Sequence, residues 1–150
     1  MDRTAAWRWA NVPLPQAHVM GLGAGFLLQL IASWRLSWSF WIGHAFGWPL
    51  ILTGLWLAAW AVRAAADVDL ERPDQLVRRG PYAFSRHPMY VAWTVVYVGV
   101  ALVANAAWPL LILPVVLLVT HIVVVQEERS LERQFGTVYR SYETAVRRYL

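Results

Sequence analysis

The chain has 150 residues, 59% of them hydrophobic and only 15% charged, with a formal net charge of +4 and no cysteine. Soluble domains carry about 25% charged residues, so this composition argues for a bilayer as solvent, and the missing cysteines exclude disulfides, thiolate catalysis and cysteine-based metal sites. All thirteen basic residues are Arg; they flank apolar stretches and form no groove-sized patch, which argues against a nucleic-acid partner.

In chain order, Met1–Gln16 holds Asp2, Arg3, Arg8, two Trp and two Pro, and without an apolar core of its own it does not resemble a cleavable signal. Four apolar stretches follow, at about Ala17–Leu36, Trp41–Ala65, Met89–Ala104 and Ala107–Gln126. Roughly 20 helical residues cross a bilayer core, and lipid offers no partner to free backbone groups. The predicted fold is therefore an all-α, polytopic membrane bundle of about four transmembrane helices, forming one domain over 1–150. The third stretch is short and reads, with its tight connection at Asn105–Pro109, as half of a helical hairpin. Gly21 and Gly25, like Gly43 and Gly47, are four apart and mark places where helix backbones approach.

Between the second and third stretches, Asp67–Pro88 is polar and punctuated by Pro73 and Gly80-Pro81. After the fourth, Glu127–Leu150 is charged and predicted helical, with a break at Gly136. Val138, Tyr142, Ala145 and Tyr149 would share one face of an amphipathic helix that lies on the membrane surface or folds back as a lid, with Arg140, Arg147 and Arg148 pointing elsewhere. Twelve of the thirteen Arg fall on one side if both termini are cytoplasmic, as the positive-inside rule favours. Trp34, Trp38, Trp41 and Trp108 would then mark the far interface.

Two polar constellations end on that Arg-rich side. In Arg86-His87-Pro88-Met89-Tyr90, Pro88 suits the first helical position and His87 the cap. The helix start favours an anion, and Arg86 adds a fork of donors matched to a carboxylate. Glu127-Glu128 closes the fourth stretch, and adjacent carboxylates at membrane depth call for a cationic partner. Together these groups suit a ligand bearing a carboxylate, an ammonium, a sulfonium and a flat base. The helix start and Arg86 take the first, Glu127 or Glu128 the second, and the faces of Tyr82 and Tyr90 the third by cation–π attraction; apolar walls take the fourth. S-adenosylmethionine has these four parts. Each feature also has a plainer reading: His-Pro as a simple cap, Glu-Glu as a solvated interfacial charge cluster. His18 and His44 are expected to be structural, and His121 either bonds a neighbouring helix or lines the cleft. No metal-ligand spacing, phosphate-cradling loop or Ser–His–Asp order is present.

Leu76-Val77-Arg78-Arg79-Gly80-Pro81-Tyr82, Arg86-His87-Pro88-Met89-Tyr90, Glu127-Glu128-Arg129-Ser130-Leu131 and Phe135-Gly136-Thr137-Val138-Tyr139-Arg140-Ser141-Tyr142 together resemble the isoprenylcysteine carboxyl methyltransferases and the related phospholipid methyltransferases. The resemblance runs from about Leu76 onward; the first two stretches (1–75) match only as generic membrane helices. It implies an S-adenosylmethionine-dependent methyltransferase in the membrane, with a hydrophobic or lipid-like acceptor. Arg86, His87 and Glu128 would be catalytic, and Gly80, Tyr82, His87, Tyr90, Glu127 and Glu128 would bind the cofactor at the cytoplasmic end of the last two spans. A bacterial inner membrane is the expected location. Ala92 stands where that family often carries Gly, which would tighten packing behind the cofactor. The alternatives are a membrane reductase using NADPH, which carries a similar Arg-His-Pro-x-Tyr element, and a non-catalytic membrane scaffold.

Overall fold

The computed structural model describes residues 15–38, 40–68 and 75–149; the expected readings of Arg3, Arg8, Arg72 and Pro73 lie outside them. Among the described residues the chain is all-helical. Helix α1 spans Gln16–Ile31, α2 Phe40–Ala64, α3 Pro88–Val103, α4 Ala107–Phe135 and α5 Thr137–Ala145, with a short 3-10 turn at Gly80–Ala83.

Two of the four expected spans, α2 and α4, are long and apolar enough to cross a membrane; α1 and α3 have 16 residues each, about 24 Å of helix. Only 22% of the most apolar window of α2 and of α4 is buried, so most of each window faces outward. Their outer faces carry Trp41, Phe46, Trp48, Leu52, Trp56, Leu118 and Ile122, all exposed.

The helices pair antiparallel through small residues. A methyl group added at Gly25 would lie 2.7 Å from Pro109 Cα, and one at Gly21 would collide with Val116, which sets α1 against α4. On α2, Gly43 faces the Leu102 carbonyl, Gly47 the Gly99 carbonyl and Gly54 the Ala92 carbonyl of α3. Both glycine pairs singled out in the sequence are thus close-approach points. Ala92 is fully buried there, beneath a cluster of Ala58, Ala61, Val62, Ala65, Tyr82 and Met89.

The first helix is shorter than its apolar stretch because residues 32–36 are held by the α3–α4 turn. The Ala107 amide donates to the Trp34 carbonyl at 3.0 Å, the Trp108 indole donates to Ala32 O at 2.6 Å, and the Trp34 and Trp108 rings meet edge to face. Backbone groups satisfied across this turn have no need of another helical turn. Asn105 reverses the chain with φ +50°. The fourth helix, by contrast, runs nine residues past Gln126 and stops at Gly136, whose φ of +53° disfavours other residues. The bundle therefore has a Trp-rich end, at the α1–α2 and α3–α4 connections, and an opposite polar end. There α2 finishes, α3 begins, α4 extends outward and α5 folds back.

Candidate active site

The polar end is assembled from three pieces. The 3-10 turn feeds into α3, whose cap is His87 with Pro88 at the first helical position. The Pro ring suits a position where the amide has no helical acceptor. The last turns of α4, beyond its apolar part, bring Glu127 and Glu128 alongside. The third piece is α5 with the strap Val146–Tyr149 that follows it. Arg78 reaches across to the Val138 carbonyl at 2.7 Å and stacks over the Tyr142 ring, while the Tyr142 hydroxyl donates to the Tyr82 carbonyl at 2.7 Å.

Glu128 is the hub. Only 6% of the residue is exposed, and its carboxylate meets two guanidinium groups and one imidazole. His87 Nε2 lies 3.2 Å from Oε1, Arg86 reaches Oε1 at 3.1 Å, and Arg148 reaches Oε1 and Oε2 with Nε at 3.1 and 3.0 Å and Oε2 with its terminal nitrogen at 2.8 Å. The hydrogen on His87 Nε2 is assigned from its acceptor. Burial by itself pushes the Glu128 carboxyl up and is the largest single effect. Hydrogen bonds from His87 and Arg148 and the charges of Arg86 and His87 together outweigh it and hold the group at about 2. The acid is thus a fixed anion, because burying an unpaired charge would cost far more than forming this cluster.

Glu127, its neighbour, is 45% exposed at the side chain. It accepts a 2.6 Å hydrogen bond from the Tyr90 hydroxyl and lies 3.7 Å from His87 Nδ1. The His87 ring therefore stands between two carboxylates, one shielded and one open to solvent. Arg86 is 7% exposed at the side chain and bridges Glu128 to Glu143 of α5, the latter at 2.7 Å. Its buried Nε has no hydrogen-bond partner among the described residues.

Five of the seven residues singled out in the sequence, Arg86, His87, Tyr90, Glu127 and Glu128, converge here. Gly80 and Tyr82 lie in the turn just before Arg86, against α2. Gly80 has φ +61° and sits against Ala64 and Trp60 of α2, and the Tyr82 ring belongs to the α2–α3 core cluster. Both position the turn leading to Arg86; the Tyr82 carbonyl accepts from Tyr142 of α5, and burial, then the charges of Tyr142 and Glu127, push its phenol up.

Sequence reasoning missed Arg148, Glu143 and Tyr149. Arg148 had been directed away from the site; it is instead the third partner of Glu128. Charge bookkeeping was the available signal, since a buried carboxylate flanked by so many Arg invites more than one of them. The buried face of α5 also differs from expectation. Tyr139 and Tyr142 are buried while Val138 and Ala145 are exposed, because Arg78 fixes the helix through Val138's carbonyl and Tyr142's ring. The segment folds back on the start of α3: the Arg86 amide donates to Arg147 O at 2.9 Å and the His87 amide to Arg148 O at 3.2 Å. His121 hydrogen-bonds the Tyr149 hydroxyl at 2.9 Å, at the edge of the site. His18 is structural as expected, buried and 2.9 Å from Thr94 Oγ1. His44 bonds the carbonyl of Phe40 one turn earlier on α2.

The arrangement can hold a zwitterionic ligand, with carboxylates for a cationic group and a buried guanidinium nitrogen for an anionic one. Set beside this geometry, a family model described as phospholipid methyltransferase matches residues 42–138, more than half of the chain. The chain belongs to the phospholipid methyltransferase family. No curated protein and no solved structure matches it. In this phospholipid methyltransferase family member the matched segment contains Arg86, His87, Tyr90, Glu127 and Glu128 and ends before Glu143 and Arg148. It begins at Ile42, upstream of the Leu76 where the motifs start, so α2 belongs to the family pattern as well. The glycine-to-carbonyl packing of α2 on α3 gives that breadth a physical reason.

Proposed function

We propose that this protein transfers a methyl group from S-adenosylmethionine to a small or lipid-like hydrophobic acceptor at the cytoplasmic face of a membrane, with the four helices α1–α4 crossing the bilayer. A bacterial inner membrane is the proposed location. The single observation that carries the reading is the buried Glu128 between Arg86 and His87, inside a segment that matches a methyltransferase family. The short α1 and α3 lie along α4 and α2 through their glycine contacts, which supports crossing as pairs.

The residues fit the cofactor. Its amino-acid end needs an anionic partner for the ammonium, met by Glu127 or Glu128, and a donor for the carboxylate, met by the unpartnered Arg86 Nε. When bound, S-adenosylmethionine supplies a methyl group already activated on a sulfonium. The chain's own work is therefore alignment and exclusion of water. Arg86 and Glu128 orient the amino-acid end, and the ring of Tyr90, steadied by its hydroxyl on Glu127, offers a face to a cation. With an acceptor carboxylate or thiolate nothing further is needed. With an amine acceptor, His87 is the group placed to hold the proton, since it lies between the open Glu127 and the shielded Glu128.

The test is to incubate purified protein and its native lipid extract with methyl-labelled S-adenosylmethionine, and to measure binding of that cofactor and of NADPH in parallel. A labelled lipid-soluble product is expected. Saturable NADPH binding without S-adenosylmethionine binding would move the protein to the reductase reading, and binding of neither would leave the scaffold.

A further inference from the structure

The three side chains that meet Glu128 are not equivalent. Arg86 and His87 are 7% exposed at the side chain, whereas Arg148 is 35% exposed. Arg86 and His87 meet Glu128 at Oε1, while Arg148 bonds Oε2 as well as Oε1. Arg148 is carried on a strap of four residues held by separable contacts: the Val146 amide on the Tyr142 carbonyl, the Arg147 and Arg148 carbonyls on the amides of Arg86 and His87, the Ser85 hydroxyl on the Arg148 carbonyl, and the Tyr149 hydroxyl on His121 with its ring near His87. The strap also lies outside the segment that matches the family, which ends at residue 138.

We infer that the strap Val146–Tyr149 is a latch: its Arg148 guanidinium occupies the Glu128 oxygen that the ammonium of an incoming ligand requires, and the strap must release for that ligand to bind. This rests on the methyltransferase reading for the identity of the ligand. The exchange is neutral in charge, because one cation replaces another and Glu128 never stands unpaired while buried, which would be costly. Arg86 and His87 stay in place and keep the carboxylate aimed. Only the most exposed of the three partners has to move. The closed strap competes with the ligand, so the observed affinity is the intrinsic one reduced by the fraction of molecules with the strap open.

The experiment uses the full chain in detergent or nanodiscs and S-adenosylmethionine as probe. Arg148→Ala should bind it more tightly than the unaltered protein, on the order of tenfold. Equal or weaker binding by Arg148→Ala, with the unaltered protein binding normally, overturns the latch and leaves the methyltransferase reading standing. Absence of binding in both proteins overturns that reading and the latch's ligand with it. A second measurement leaves Arg148 intact. The chain has no native cysteine, so a single nitroxide can be placed through Arg147→Cys, at an exposed position. Its spectrum should sharpen on adding S-adenosylmethionine as the strap lets go; an unchanged or broadened spectrum at saturating probe overturns the latch.

Discussion

Nε2 of His87 lies 3.2 Å from Oε1 of Glu128, across 41 positions of sequence. That contact joins the start of α3 to the far end of α4, and the other polar contacts at this end of the bundle are arranged around it.

Replacing Glu128 by Gln should weaken S-adenosylmethionine binding by roughly ten- to a hundredfold, the scale of one charge-assisted hydrogen bond. Glu127→Gln, at the more open carboxylate, should have the smaller effect. Calorimetric titration of both variants checks this; unaltered affinity in both would remove the acidic pair from the site.

Acid should unlock the cluster. The Glu128 carboxyl is depressed from 4.5 to about 2, so its stabilisation is fully present above pH 4.5 and is lost as pH falls toward 2. The loss should be on the order of 2–3 kcal/mol. Thermal unfolding in detergent followed from pH 6 to pH 2 should show this fall, and Glu128→Gln should flatten it.

Gly25→Ala should destabilise the bundle by about 1–3 kcal/mol, because its new methyl meets the Pro109 backbone rather than a yielding side chain. Gly23→Ala, with nothing within 4 Å, should be neutral or stabilising by about 0.5–1 kcal/mol through helix propensity. Melting temperatures of the two variants, on one helix and two positions apart, separate packing from propensity.

Tyr142→Phe removes the hydrogen bond to the Tyr82 carbonyl while keeping the ring beneath Arg78. It should cost about 1 kcal/mol locally and raise proteolytic nicking around α5 with little change in the bundle's overall melting. Arg78→Ala removes both the Val138 bond and the ring contact and should loosen α5 further than Tyr142→Phe does.

Much of the fold was legible because bilayer physics writes itself into composition. The apolar stretches at Trp41–Ala65 and Met89–Ala104 became α2 and α3 within one residue at each end. The Gly pairs marked close contacts because only Gly lets one helix meet another's backbone. The errors came where tertiary contact overrode local pattern. Residues 32–36, which include Ser33 and Arg35, leave the helix and are held by the α3–α4 turn. The face of α5 differs from the expected one, with Arg78 on the Val138 carbonyl and over the Tyr142 ring. The helix beyond Gln126 and its break at Gly136 came out as the sequence indicated, here as a continuation of α4.

By itself, then, the order of residues determined where helices begin and which end of the bundle collects charge, since both follow from short-range propensity and from hydropathy along the chain. It also carried the pairing of an Arg-His-Pro-x-Tyr helix start with a Glu-Glu helix end. Only the tertiary structure decided which carboxylate is buried, that Arg148 completes its shell, and that Gly80 and Tyr82 support the turn from behind. Those outcomes depend on distances between segments 20 to 60 residues apart, where no periodicity reaches and where the cost of an unpaired buried charge makes the choice.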